Sequence, residues 1–167
     1  MTASVNQSSA EAEGTLDAEP TLSSISPVGG SDRIAIFMAM WEEAAGAAED
    51  VSSVTWNGQS LTKLGTVYSS NATSTHNAVS VWYLLDADFP ASAGDITFVM
   101  QDGTSSFGLY ACVQQITGAA QQAPDTLQGG TGSSPLTVSI TTAVAECLRV
   151  EAAGHGHTGA WPPGDSQ

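Results

Sequence analysis

The segment SSVTWNGQSLTKLG, residues 52–65, decides which fold this sequence predicts. Two short strand-like runs flank the dipeptide Asn57-Gly58. This dipeptide is the strongest local signal for a β-hairpin, because a type I′ turn needs two central residues that tolerate positive φ. No residue of the segment is a candidate for catalysis, so the pattern predicts a purely structural hairpin.

The rest of the chain continues this pattern of short apolar runs between turn-forming residues. Together with the hairpin it predicts nine strands, at residues 21–26, 33–41, 51–56, 59–65, 77–85, 95–101, 107–117, 136–142 and 146–154. The run 33–41 is apolar on both faces and is predicted to be a central strand. There is no helical run for a parallel crossover connection. We therefore expect an all-β protein, an antiparallel β-sandwich of jelly-roll or immunoglobulin-like type.

Composition divides the chain into three parts. Residues 1–19 are polar and aperiodic, which is typical of a flexible N-terminal arm, or of an arm that becomes ordered only on a partner. Residues 20–154 form the predicted sandwich domain, and residues 155–167 form a C-terminal tail. Only residues 42–50 have a helical composition, and Gly46 in their middle predicts a loop or a single turn instead. The acidic side chains of this loop are expected to be solvated, or else to meet a basic patch on a partner.

The charge balance of the chain is strongly acidic. Its 167 residues include three basic side chains and seventeen acidic ones, for a formal net charge of −14. Nucleic acids and anionic membranes are bound chiefly through Lys and Arg, so neither is an expected partner. The simplest interpretation is that the acidic residues keep a β protein soluble, with adaptation to salty surroundings as an alternative. No apolar run approaches the roughly 18 residues of a membrane span, so no membrane insertion is predicted.

The N-terminal sequence MTASVNQSSAEAEGTLDAEP has neither the basic region nor the apolar region of a secretory signal. A polar surface rich in Ser, Thr and Gly, without an export signal, is the combination expected of a virion component. Such a component is assembled inside the cell and meets the outside only later. A secreted protein whose signal has been removed is the alternative, and Met1 argues against it.

Neither catalytic residues nor a cofactor are predicted. The G-x-S-x-G pattern of a nucleophilic serine is absent. Cys112 and Cys147 lie in apolar, strand-like segments and are interpreted as buried free thiols. Asp86 and Asp88 have the D-x-D spacing of a calcium ligand pair, but the rest of an EF-hand loop is missing. Capping of a turn is therefore the predicted role of these two aspartates.

The histidines offer a partial metal-binding pattern. His155 and His157 are two residues apart, so on a strand they would point the same way and would suit Zn or Cu. A third ligand is missing, because His76 lies in a different loop and Asp165 is distant in sequence. The sequence therefore predicts a solvated Gly/His loop and no metal site.

Four large side chains are predicted to form an exposed contact surface. They are Phe37, Met40, Trp41 and Trp82. By the two-residue period of a strand, Trp82 points away from the face that Val79 and Val81 share. Exposed aromatic residues stack on sugar rings in many carbohydrate-binding modules, and they are also enriched in protein interfaces. The bulk of Phe37, Met40 and Trp41 in one strand favours a protein contact.

Several segments occur in a familiar order, namely VSSVTWNGQSLTKLG, VSVWYLLDAD, DITFV, YACVQQITGA, LTVSITT and CLRVEAAG. Over residues 32–154 this order resembles a β-sandwich module of tailed-phage structural proteins and bacterial surface or secreted proteins. In that module a V-T-x-x-G-x-x-L-T hairpin, a W-Y-L strand and a paired late strand recur. Further strands usually follow the segment that matches CLRVEAAG, whereas this chain ends soon afterwards. The sandwich is then smaller, or the chain is shortened, or a neighbouring subunit supplies the missing edge pairing.

The resemblance implies a structural or adhesive module without catalytic residues, although fold alone does not determine function. We therefore expect a non-enzymatic structural protein of a phage particle, such as a capsid decoration or a tail or fibre component. Its expected partners are other virion proteins or copies of itself, and its expected location is the virion. The alternative is a glycan-binding or adhesive domain of a cell-surface or secreted protein, for which carbohydrate would be the ligand.

Overall fold

The computed structural model of the chain describes residues 4–6, 11–14, 21–44, 50–68, 75–101, 106–129 and 150. Within these residues the chain forms ten strands and one turn of 3₁₀ helix, Asp86–Asp88. The strands are β1 (Ser4–Asn6), β2 (Glu11–Gly14), β3 (Thr21–Ile25), β4 (Ile34–Ala44), β5 (Val51–Trp56), β6 (Gln59–Ser60), β7 (Thr62–Tyr68), β8 (Thr75–Leu85), β9 (Gly94–Met100) and β10 (Ser106–Thr117). Each pair of neighbouring strands is antiparallel, which confirms the predicted all-β class.

The strands form two sheets that pack face to face as a sandwich. The large sheet has the order β1-β10-β4-β8-β7, with β2 also paired to β10, and the small sheet has the order β3-β9-β5-β6. Strands β5 and β6, and strands β7 and β8, are hairpins within one sheet. From β2 onward, all the remaining pairs of consecutive strands lie in different sheets, so the chain changes sheet between them. These crossings hold the two sheets together along the chain.

Strand β4 lies in the middle of the large sheet, between β10 and β8, as its apolar sequence predicted. Its side chains alternate between two apolar environments. Ala35, Phe37, Ala39 and Trp41 belong to the core between the sheets, whereas Ile34, Ile36 and Met38 belong to a second apolar cluster on the other face. A strand that is buried on both sides explains why its sequence shows no polar alternation.

Trp56, at the end of β5, lies at the centre of the core between the sheets. Its side chain is fully buried. Its ring meets that of Phe37 edge-on at 5.9 Å between centroids and that of Phe89 at 5.4 Å. The indole Nε1–H donates to the carbonyl of Ile25 at 3.3 Å, which satisfies its polar atom in the apolar interior. The hairpin around Asn57-Gly58 thus carries the central core residue.

The Asn57-Gly58 turn has the predicted geometry. Both residues have positive φ, 48° and 82° respectively. Trp56 pairs with Gln59 directly across the two-residue connection, as a type I′ hairpin requires. The backbone N–H of Asn57 also donates to the carbonyl of Asp95 at 2.9 Å, and this bond ties the turn to the start of β9.

The N-terminal arm and the acidic loop differ from their predictions. Residues 4–6 and 11–14, expected to belong to a flexible arm, form β1 and β2 against β10. Strand β4 continues to Ala44, so Glu42 and Glu43 lie in a strand and not in a loop. Of the two last predicted strands, only Val150 falls within the described residues, and the predicted tail at 155–167 lies outside them.

Candidate functional site

Three of the four residues predicted to form a contact surface are buried in the core. Phe37, Trp41 and Trp82 are 0%, 2% and 5% exposed and pack between the two sheets. Met40 is half-buried. The two-residue period correctly placed Phe37, Trp41 and Trp82 on the second face of their strands, but that face is the inner one. The prediction that Phe37, Trp41 and Trp82 are exposed is therefore wrong, and they serve the packing of the sandwich.

The same burial bears on the glycan-binding alternative. Trp56 is also fully buried, so all three tryptophans in the described part of the chain belong to the core. A stacking platform for sugar rings needs exposed aromatic faces, and these three residues do not supply one. Trp161 lies outside the described residues.

The residues considered for metal binding fall mostly outside the described part of the chain, which includes neither His155, His157 nor Asp165. His76 lies in β8. Within the described ranges, no three His, Cys, Asp or Glu side chains come close enough together to hold a metal ion. The same residues contain no helix with the length and apolar character to cross a membrane.

The charged residues that the structure does bring together form two clusters. The first, the Arg33–Asp86 clamp, lies where β4 begins and β8 ends. Arg33 Nε donates to Asp86 Oδ1, and Arg33 Nη1 donates to the carbonyl of Val28 at 3.1 Å. The backbone N–H of Asp32 donates to Asp86 Oδ2 at 2.9 Å. The guanidinium also lies 4.5 Å from the centre of the Phe89 ring, a cation–π contact.

Gln121 extends this clamp to the segment after β10. Its Oε1 accepts from the backbone N–H of Asp86 at 2.9 Å, and its Nε2 donates to the carbonyl of Arg33 at 3.0 Å. One amide side chain therefore joins both halves of the ion pair through their backbones. The clamp connects the β3–β4 loop, the 3₁₀ turn after β8 and the chain that leaves β10.

The clamp also sets the protonation of Asp86. Burial raises the pKa of its carboxyl, whereas the hydrogen bond from Arg33, the guanidinium charge and the backbone N–H groups of Asp32 and Arg33 lower it. The lowering influences outweigh burial, so the pKa of Asp86 lies below its ordinary value. Asp86 is thus held as a carboxylate that accepts hydrogen bonds, which suits a structural ion pair and not a general acid.

The second group, the Asp50–Lys63 cluster, lies between the start of β5 and the edge strand β7. Lys63 Nζ donates to Asp50 Oδ2 and lies 5.5 Å from the centre of the Trp82 ring. Thr66 Oγ1 donates to Asp50 Oδ1 at 2.8 Å and lies 3.3 Å from Ser80 Oγ. Ser80, which is fully buried, accepts from Trp82 Nε1 at 2.7 Å. This cluster ties the two sheets together and satisfies the buried polar atoms there.

Gln115, on β10, is a fully buried polar residue with a similar connecting role. Its Oε1 accepts from the backbone N–H of Val28 at 2.7 Å, and its Nε2 donates to the carbonyl of Ser26 at 2.9 Å. The side chain thus supplies hydrogen-bonding partners for the loop between β3 and β4, which has no strand neighbour there. Sequence analysis did not single out Gln115, because its only signal is a polar residue at an inward position of an apolar strand.

The outward faces of the two sheets differ in chemistry. On the small sheet, outward positions carry mainly Ser and Thr, and the hydroxyls of Thr55 and Thr97 lie 3.2 Å apart across the strands. On the large sheet, the outward side chains form a second hydrophobic cluster, which we call the outer apolar face. Its buried members are Ile34, Ile36, Met38, Val81 and Ile116, and its partly buried rim includes Leu64, Val79, Tyr83, Leu85 and Cys112.

Residues from beyond β10 lie against this outer apolar face. Leu127 and Val150 both pack on it. Gly129 passes so close to Val67 that a β-carbon at position 129 would overlap the valine side chain. The large sheet is therefore an inner layer, with the small sheet on one side and later residues of the chain on part of the other.

No family model, curated protein or solved structure matches this chain.

Proposed function

We propose that this protein is a non-enzymatic structural component of a phage particle, such as a capsid decoration or a tail or fibre subunit. In this role it acts through contacts with other virion proteins or with copies of itself. The observation that carries the proposal is the outer apolar face of the large sheet. The outward face of an antiparallel sheet is commonly solvated and polar. In the large sheet it is apolar, and later residues of the chain, Leu127 and Val150, cover part of it.

The partly buried rim of this face is the region suited to a protein contact. Val79, Tyr83 and Leu85 share one face of β8 with the buried Val81, and each of the three is only partly buried. A partner placed over this strand would remove further apolar area from water, at about 25 cal/mol per Å². Aromatic residues such as Tyr83 are enriched in protein interfaces, because they bury a large area at a low entropic cost.

The placement of the polar residues supports the same proposal. Arg33 and Lys63, two of the three basic residues, are engaged with Asp86 and Asp50 in contacts that join separate elements of the fold. Gln115 and Ser80 have comparable connecting roles. These residues stabilise loops and sheet edges, as expected of a building block that must keep its shape under load. The acidic surplus elsewhere keeps such a protein soluble before it is assembled.

The proposal is tested by light scattering during size-exclusion chromatography and by electron microscopy of native material. We expect homo-oligomers or particle-bound protein. Tyr83→Lys, on the outer apolar face, should shift the oligomer towards monomer. Val99→Lys, at a 40% exposed position on the outward face of the small sheet, is the matched control and should leave assembly unchanged. Circular dichroism establishes that both variants are folded, and Val79→Thr provides a milder change at the same face.

A strictly monomeric protein that binds on a glycan array would refute the proposal and favour the adhesive alternative. Equal assembly of Tyr83→Lys, Val79→Thr and the control would show that the outer apolar face is not the contact. Loss of an enzymatic activity on substitution of His155 or His157 would contradict the non-enzymatic assignment.

A further inference from the structure

Strand β10 is paired along both of its sides, and the strands on one side, β1 and β2, come from the first residues of the sequence. On one side it pairs with β4 from Ser106 to Ile116. On the other side, Gln115–Thr117 pairs with β1, and Leu109–Cys112 pairs with β2. Without β1 and β2, this second side of β10 would be an edge of the large sheet. We call it the acceptor edge.

The register shows that β1 and β2 follow β10 as one antiparallel path. Ser4 pairs with Thr117 at one end, and Gly14 pairs with Leu109 at the other. Residues 4–6 and 11–14 thus cover two stretches of this edge, 115–117 and 109–112, whose backbone groups would otherwise lack these strand partners.

The amino-acid content of the arm shows what holds it there. In residues 1–19 the large apolar side chains are Met1, Val5 and Leu16, and the remainder is mainly Ala, Ser, Thr, Gln and Glu. Such a segment has little apolar surface with which to anchor itself on its own domain. Residues 4–6 and 11–14 pair with β10 through a backbone ladder, and any strand with this register can make the same ladder.

The arm of a second copy can make the same ladder. Exchange of an identical strand between copies is a low-cost route to association, because every copy offers the same strand and the same edge. Inside an assembly, neighbouring arms are present at high effective concentration, which favours pairing between copies. We propose that the acceptor edge binds residues 4–6 and 11–14 of a second copy of this chain. This inference rests on the proposed structural function and specifies one contact through which the subunits associate.

The register supplies a direct test, because the native Cys112 is the pairing partner of Glu11. A full-length donor chain carries Glu11→Cys and Cys112→Ser, together with a mass tag. A full-length acceptor chain keeps Cys112, and both chains carry Cys147→Ser. The distance between paired Cα atoms in an antiparallel ladder allows a disulfide. A bridge between the introduced thiol and Cys112 then necessarily joins two different chains.

The two chains are mixed, refolded together at assembly concentration and oxidised, and the products are resolved on a non-reducing gel. We expect the donor–acceptor dimer as the main cross-linked product. The matched control donor carries Ala12→Cys, whose register partner is Ala111. It should give roughly tenfold less of this dimer, since its partner position has no thiol. Equal yields from both donors would overturn the inference.

A second measurement uses one chain that carries Glu11→Cys and retains Cys112. Cross-linked dimers and higher ladders should increase with protein concentration if arms exchange between copies. Internally bridged monomers at every concentration would show that each arm stays on its own domain, and the inference would then fail. Oligomeric state is measured separately under reducing conditions. A protein that assembles but forms only internal bridges refutes strand exchange while the proposed function stands.

Discussion

Arg33 and Asp86 lie side by side where β4 begins and β8 ends, and their ion pair is completed by a third element, the segment that contains Gln121. The two charged residues extend the pairing of Ile34 with Leu85 by one further position. The clamp therefore closes the end of the large sheet at its two central strands. Its side chains are about three-quarters buried, which makes their geometry relevant to stability.

Asp86→Asn should lower the free energy of unfolding by about 1 kcal/mol at neutral pH, because it removes the charge that Arg33 and the backbone N–H of Asp32 contact. The pKa of Asp86 is lower in the folded chain than in the unfolded chain, where it is about 3.8. The clamp's contribution is therefore complete above that value and is lost as the pH falls through the folded-state pKa. Urea titrations between pH 7 and pH 2 should show the difference between the variant and the parent shrinking in acid. Asp88→Asn, in the same 3₁₀ turn, is the control; an equal effect of both substitutions would contradict the clamp.

Gly58→Val should destabilise the domain by about 1 kcal/mol or more, since a β-branched residue resists the positive φ of this position. A β-carbon at Gly58 meets no atom within 4 Å, so the expected effect comes from the backbone alone. Gly29→Val is the matched control, because its β-carbon would also be in open space and its φ is not in the left-handed region. Thermal unfolding distinguishes the two, and equal melting temperatures would mean that the turn is wrongly assigned.

The buried pair Ser80–Trp82 predicts a non-additive effect. Ser80→Ala leaves the indole N–H of Trp82 without its acceptor and should cost about 1–3 kcal/mol. Trp82→Phe removes the donor but also shrinks a core side chain. In the double variant, the loss should be smaller than the sum of the single losses, because the unsatisfied group is then absent. Strict additivity in chemical denaturation would argue against the hydrogen bond.

Gln115→Leu should destabilise the fold by about 1–2 kcal/mol, because the backbone N–H of Val28 and the carbonyl of Ser26 lose a hydrogen-bonding partner whose own side chain is buried. The neighbouring Gln114→Leu is the control. Gln114 is half-buried, and its side chain lies on the opposite face of β10. Hydrogen exchange at Val28 gives a local readout, since its amide should exchange faster in Gln115→Leu alone. Unchanged protection there would contradict the proposed role of Gln115.

Sequence patterns identified the features of the fold that have a local cause. The Asn57-Gly58 turn depends on the φ preferences of two adjacent residues, and the central position of β4 follows from its uninterrupted apolar run. The orientation of Trp82 could not be decided in the same way. When a strand is apolar on both faces, its period shows which residues share a face but not which face is the interior.

Features that depend on distant residues left no readable signal. The arm pairs with β10 through backbone groups. Its polar, aperiodic sequence is compatible with such pairing but does not predict it. Arg33 and Asp86 are neighbours only because β4 and β8 pair, and an isolated Arg before an apolar strand does not reveal its partner. The outer apolar face could be recognised only after the structure showed which face of the large sheet packs against the small sheet.

The repeated crossing of the chain between the two sheets has a kinetic consequence. Among the described strands from β3 onward, only the hairpins β5–β6 and β7–β8 pair residues close in sequence, whereas Thr21 pairs with Thr97 and Ile34 with Ile116. Closing such large loops costs conformational entropy before packing contacts can offset it, which makes folding slow, on the order of milliseconds to seconds. During that interval the chain exposes apolar surface and unpaired strand edges, which favour aggregation. A cell producing many copies would therefore benefit from slow synthesis or from chaperones that shield them.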